Sequence, residues 1–224
     1  MLSKRGAVVL ADVRMEIKNF RALKKKLDDN KKAPQKVFKA LSSDARKRVP
    51  GWVSTEVTKT YGVKKTEITG KKVGDVKVQG SDIRDMKIVY SGRLLTHTHF
   101  SMSPKEPKEG GSYTLKATVI KGQRKTLGQV KKLTKKQRAE LAKNFTGSGT
   151  QSSDKSPIML MRANGGQYLP FQRKSKNRND IDVVKTLSLP QMVSSDRTQL
   201  AIRTAIDDGL RKRLDHHMKR YMGK

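Results

Sequence analysis

Between Ala33 and Tyr61 the apolar positions fall at Val37, Leu41, Ala45, Val49, Trp52 or Val53, Val57 and Tyr61. A step of three to four residues is the period of a helix with one buried face, so this stretch predicts a long helix. Pro50 lies inside it. Proline lacks an amide donor and crowds the preceding turn, so a kink or a break is expected between Val49 and Gly51. Upstream, AVVLADVRMEI at 7–17 alternates loosely and predicts a strand, with Val9, Ala11, Val13, Met15 and Ile17 on one face. A short basic helix is expected over Phe20 to Leu27.

The middle of the chain switches to a period of two. KVGDVKVQG, DMKIVYSG and GSYTLKATVIKG alternate β-branched or aromatic residues between glycines, as hairpin-connected strands do. THTHF, between the second and third of these, reads as a further short strand. KKLTKKQRAELAKN at 131–144 predicts a short surface or interface helix, with Leu133, Ala139 and Leu141 as its few apolar positions. TGSGTQSSDKS at 146–156 is small and polar and predicts a flexible insertion. PIMLMR and GQYLPFQRK then predict a hairpin turning at Asn164, Gly165 and Gly166.

At the end of the chain, Ile202, Ile206, Leu210, Leu214, Met218 and Met222 step by four, widened by Ala201, Ala205 and Tyr221. That stripe predicts a basic amphipathic helix, with Arg211, Lys212, Arg213, Lys219 and Arg220 on its other side. Such a stripe packs in a core or docks on another subunit, and Ile206, Leu210, Leu214, Met218 and Met222 are the candidate interface. The expected class is α+β: a long N-terminal helix, kinked near Pro50, on a mostly antiparallel sheet, with a C-terminal helix. Residues 1–195 are read as one domain and 196–224 as an appended interface helix.

With 224 residues and no cysteine, the chain can bury a sufficient core without disulfides. No apolar run approaches the ~18 residues that span a bilayer, and no signal peptide or membrane anchor is read. Charge changes the picture most: 51 Lys and Arg against 20 Asp and Glu give +31. Such an excess attracts polyanions, whether nucleic acid, an acidic membrane face or an acidic protein partner. The candidate contacts are Lys24, Lys25 and Lys26, then Arg173, Lys174, Lys176 and Arg178, and on the terminal helix Arg211 and Arg213. Aromatic residues make up only 5%, and no nucleic-acid-reading signature accompanies the charge.

Candidate chemistry is sparse. His97 and His99 would share one face of a strand and could meet one ion. A zinc site needs three or four ligands, however, and the only other histidines, His216 and His217, point about 100° apart on a helix. Asp82 with Asp85 and Asp180 with Asp182 are paired carboxylates of the kind that hold a divalent ion in a nuclease. Both pairs lie among Lys and Arg, where carboxylates usually form surface ion pairs. No phosphate-binding loop, no GxSxG and no HExxH occurs. The reading is non-enzymatic, with no cofactor and no metal.

Five segments occur in a telling order: TYGVKKTEI closing the long helix, IVYSGRLLTHTHFSM, VIKGQRKTLG, MLMRANGGQYLPFQRK and KTLSLPQMV. This succession resembles the phage minor tail protein Z, or tail completion, family. There a basic helix leads to Tyr-x-Val, a strand opens with a small residue, Gly and Arg or Lys before a Phe, and a Gly-x-Arg-Lys strand precedes an arginine-bearing hairpin and a Pro-Gln motif. The resemblance spans about Ala33 to Ser194. The chain departs from it where a Gly-Pro often precedes the Pro-Gln motif, having Thr186 to Pro190 (TLSLP) instead, and in the length of 131–156. What the resemblance implies is a structural protein of a phage tail or phage-like particle, made in the bacterial cytoplasm. It would sit near the head-proximal end as a ring of six copies, against tail terminator, tail tube or connector proteins, with DNA in the channel as a further contact. A basic nucleic-acid-binding module is the alternative.

Overall fold

The computed structural model describes residues 11–13, 33–80, 86–109, 111–130, 158–163, 166–174 and 180–222. The expected helix at 20–27, the helix at 131–144 and the loop at 146–156 lie outside them, as do Lys24, Lys25, Lys26, Lys176 and Arg178. The described elements in chain order are β1 (Ala11–Val13), α1 (Ala33–Thr60), α2 (Lys65–Thr69), β2 (Asp75–Gln79) and β3 (Lys87–Ser91). They continue with β4 (Tyr113–Ile120), β5 (Gln123–Val130), β6 (Met159–Arg162), β7 (Tyr168–Arg173), β8 (Ile181–Val183), α3 (Leu189–Ser194) and α4 (Gln199–Met222). This is the expected α+β class. The chain forms two compact units, one of Met1–Thr60, Lys64–Arg93 and Leu187–Lys224, the other of Tyr61–Val63 and Leu94–Thr186.

In the first unit, α1 buries the stripe that its sequence predicts: Val37, Leu41, Ala45, Val49, Val53 and Val57 are each at most 1% exposed. The helix runs unbroken through Pro50, so a break at that point does not occur. An interior proline costs about 3 kcal/mol. Burying Val49 and Val53 on either side returns roughly 1.5–3 kcal/mol each, which is enough to hold the helix together. Just beyond, the Ser54 and Thr55 hydroxyls donate to the Gly51 carbonyl at 2.8 and 2.9 Å.

The sheet beside α1 has the order β1-β3-β2, all antiparallel, with Val76 opposite Tyr90 and Ala11 opposite Tyr90 on the other side. Ile88 and Tyr90 of the central strand are buried, as the two-residue period requires. Burial pushes the Tyr90 hydroxyl's pKa up, partly opposed by the charge of Arg203. The Pro-Gln motif opens α3 with a capping box. Ser188 N–H donates to the Gln191 side chain at 2.9 Å, and the Gln191 amide donates back to the Ser188 hydroxyl at 3.4 Å. The cap fixes the entry of a turn whose Leu189, Met192 and Val193 are buried.

The terminal helix does not stand apart from this unit. α4 packs along α1, and Ile202, Ile206 and Leu210 are buried. Gly209 lies against the Trp52 indole: a Cβ there would come within 2.6 Å of the ring. The division expected at 195/196 therefore does not follow the packing, because the stripe found a partner inside the chain.

The second unit holds the β4–β5 hairpin and an antiparallel sheet of order β6-β7-β8. Met102, Leu115, Ala117 and Ile158 form a core cluster, flanked by Leu127, Val130 and Leu160. The predicted hairpin after Arg162 is present: Arg162 pairs with Tyr168, and Ala163 N–H donates to the Gln167 carbonyl at 2.9 Å. THTHF differs from its prediction. After a single bridge at Thr96, residues His97–His99 form a 3-10 turn. His99 N–H donates to Thr96 O and Phe100 N–H to His97 O, local bonds that take the place of a strand ladder and carry Phe100 into the core.

Candidate functional site

That turn decides the geometry of the histidines. At three residues per turn, positions two apart no longer share a face. His97 is buried while His99 is half-buried. The His97 Nδ1 lies 3.2 Å from the Val184 carbonyl, and burial pushes its pKa down, partly opposed by that bond. Among the described residues no three His, Asp or Glu side chains stand close enough to hold a metal ion. Asp182 of the paired carboxylates is bound to Lys174 at 2.7 Å and accepts the Val183 amide at 2.9 Å. The Lys174 hydrogen bond leads the causes that hold its carboxyl below the usual range. Asp82 and Asp85 lie outside the described residues.

The most connected polar cluster joins α1 to α4. Asp44 accepts from Arg213 Nε at 2.5 Å and lies 2.9 Å from His217 Nε2, with Arg48 Nε at 3.9 Å from its other oxygen. Burial pushes the Asp44 carboxyl up, but the hydrogen bonds and charges of Arg213 and His217 outweigh it and leave the group below the usual carboxylate range. The His217 ring is buried and stacks on Tyr221, and its Nδ1 has no hydrogen-bond partner among the described residues. This cluster locks the helix pair in register. Asp44 escapes a sequence reading because it flanks the apolar stripe, and its partners lie about 170 residues away, across a contact that periodicity does not encode.

The candidate contacts divide accordingly. Arg213 turns inward to Asp44, so it is corrected from a polyanion contact to a structural ion pair. Arg211 is exposed, on a face where Asp207, Asp208 and Asp215 each precede a cation by four residues, Arg211, Lys212 and Lys219. Lys174 is exposed and paired with Asp182, and Arg173 is half-buried at the end of β7. Of the candidate interface, Ile206 and Leu210 are taken up by the chain's own core, while Leu214 and Met218 are half-buried and α4 ends at Met222.

The unbalanced charge lies elsewhere. On α1, Lys36, Lys39, Ser43, Arg46 and Lys47 are all exposed. Their spacing of three, seven, ten and eleven residues puts them within an arc of about 100°, opposite the buried stripe. No carboxylate shares that arc, and Arg46 donates to the Gly80 carbonyl at its edge. Helical spacing among the polar positions is the signal that could have found this stripe. No helix among the described residues is long and apolar enough to cross a membrane. The chain matches no family model, no curated protein and no solved structure.

Proposed function

We propose that this chain is a non-catalytic structural protein of a phage tail or phage-like particle, a tail-completion ring near the head-proximal end. The observation that carries the reading is the order of segments from Tyr61-Gly62-Val63 to Pro190-Gln191, which resembles that family along most of the chain. An α+β fold with a long helix beside an antiparallel sheet is compatible with it. So is the engagement of the most connected polar cluster, around Asp44, in holding α1 against α4. In this reading six copies form the ring, and basic surface meets acidic faces of terminator, tube or connector proteins, with charge setting encounter and orientation.

The test is to tag the chain in a producing bacterium, purify the particles and locate the tag by electron microscopy. A label at the head-proximal end of the tail supports the reading. A label at the distal tip, or particles that never contain the chain, would sink it.

A further inference from the structure

From Gly111 to Val130 the chain carries Lys116, Lys121, Arg124 and Lys125 and not one carboxylate. These residues form the β4–β5 hairpin, closed by the two-residue turn Lys121-Gly122 between the paired Ile120 and Gln123. Gly122 adopts φ +77°, which glycine supplies without strain. Along β5 the four successive residues Gln123, Arg124, Lys125 and Thr126 are all exposed. Successive strand residues face opposite sides, so four exposed in a row leave both faces of the strand uncovered at the tip. Toward the base Leu127 and Val130 turn into the core cluster, which anchors the ribbon.

We propose that this hairpin tip is a contact for double-stranded DNA, with Lys121, Arg124 and Lys125 neutralising backbone phosphates. Placement suits a phosphate backbone: Tyr61 and Gly62 cover β4 at Val119 and Ile120, whereas among the described residues β5 pairs only with β4. Arg124 and Lys125 thus stand on an open edge that can lie along a duplex carrying about one phosphate charge per 1.7 Å of axis. Chemistry favours a duplex over a single strand, because no Phe, Tyr or Trp occurs from Thr114 to Val130 to stack on an unpaired base. Lysine and arginine on an edge strand can also serve only to prevent sheet-to-sheet association, and an acidic protein groove could take the same ribbon. Both are outcomes of the test. The inference stands apart from the ring reading, since a tip contact operates in a monomer or in a ring.

The full chain is titrated into a labelled duplex of arbitrary sequence, and affinity is followed by anisotropy over a series of salt concentrations. Each neutralised phosphate contributes about 0.9 to the slope of log affinity against log salt. Replacing Lys121, Arg124 and Lys125 together by alanine is expected to make that slope shallower by about 2 to 3. The comparison variant, with Lys36, Lys39 and Lys47 replaced by alanine, removes the same charge from α1 and is expected to change the slope far less. If the hairpin triple loses its thermal transition, Arg124→Gln alone carries the comparison, with an expected change of about 0.9. An unchanged slope in the hairpin variants overturns the proposal, as does an equal loss in both triples. Loss of binding to polyglutamate with duplex binding intact would also overturn it, in favour of an acidic protein partner.

Discussion

At the scale of single residues, Asp44 is the polar group on which most depends. Replacing it by alanine leaves the inward-turned Arg213 and the buried His217 without their acceptor. A partly buried charged hydrogen bond of this kind is expected to cost on the order of 1–3 kcal/mol, read as a lower denaturant midpoint. The pH dependence has a definite sign. The folded Asp44 carboxyl lies below its ordinary value of 3.8, so its stabilisation is complete above that value and is lost as pH falls through the folded one. The Asp44→Ala and parent chains are therefore expected to differ most near neutral pH and to converge in strong acid. His97 acts at a higher pH. Its folded imidazole titrates below 6.5, so the unfolded chain binds the proton first and stability falls as pH drops through 6.5. His97→Gln is expected to flatten the stability profile between pH 7 and 5, and a profile as steep as the parent's would refute the assignment.

At the scale of elements, α1 was legible because Val37, Leu41, Ala45, Val49, Val53 and Val57 keep one period along the helix, and the structure buries each of them. Truncating Leu41 to alanine is expected to cost about 2–5 kcal/mol. The β6–β7 hairpin was legible because the sequence Asn-Gly-Gly at 164–166 falls between two apolar runs. What was not legible depends on partners distant in sequence. Nothing local says that Gly209 faces Trp52, or that THTHF closes into a turn once Phe100 is drawn inward. A helix-interior glycine costs roughly 1 kcal/mol relative to alanine, yet here a Cβ would meet the indole. Gly209→Ala is accordingly expected to destabilise by about 1–3 kcal/mol despite its better helix propensity. A raised melting temperature in that variant would show that the α1–α4 contact tolerates separation.

At the scale of the whole chain, the terminal helix illustrates how an amphipathic stripe can be read two ways. Ile202, Ile206 and Leu210 could have served a second copy, but they are buried within the unit that contains α1, where Trp52 and Asp44 also receive α4. Three such side chains contribute roughly 1.5–3 kcal/mol each on burial. Their sum is comparable with the total stability of a typical domain, about 5–15 kcal/mol. Cutting the chain after Ser195 would also strip Asp44 of Arg213 and His217 and leave the Trp52 ring uncovered. The truncated protein is therefore expected to lose its cooperative unfolding transition in denaturant rather than to persist as a folded monomer. Near-ultraviolet circular dichroism, which reports the packing of Trp52, measures this directly. A truncated chain that keeps the parent's signal and a sharp transition would assign α4 to assembly instead of to the core.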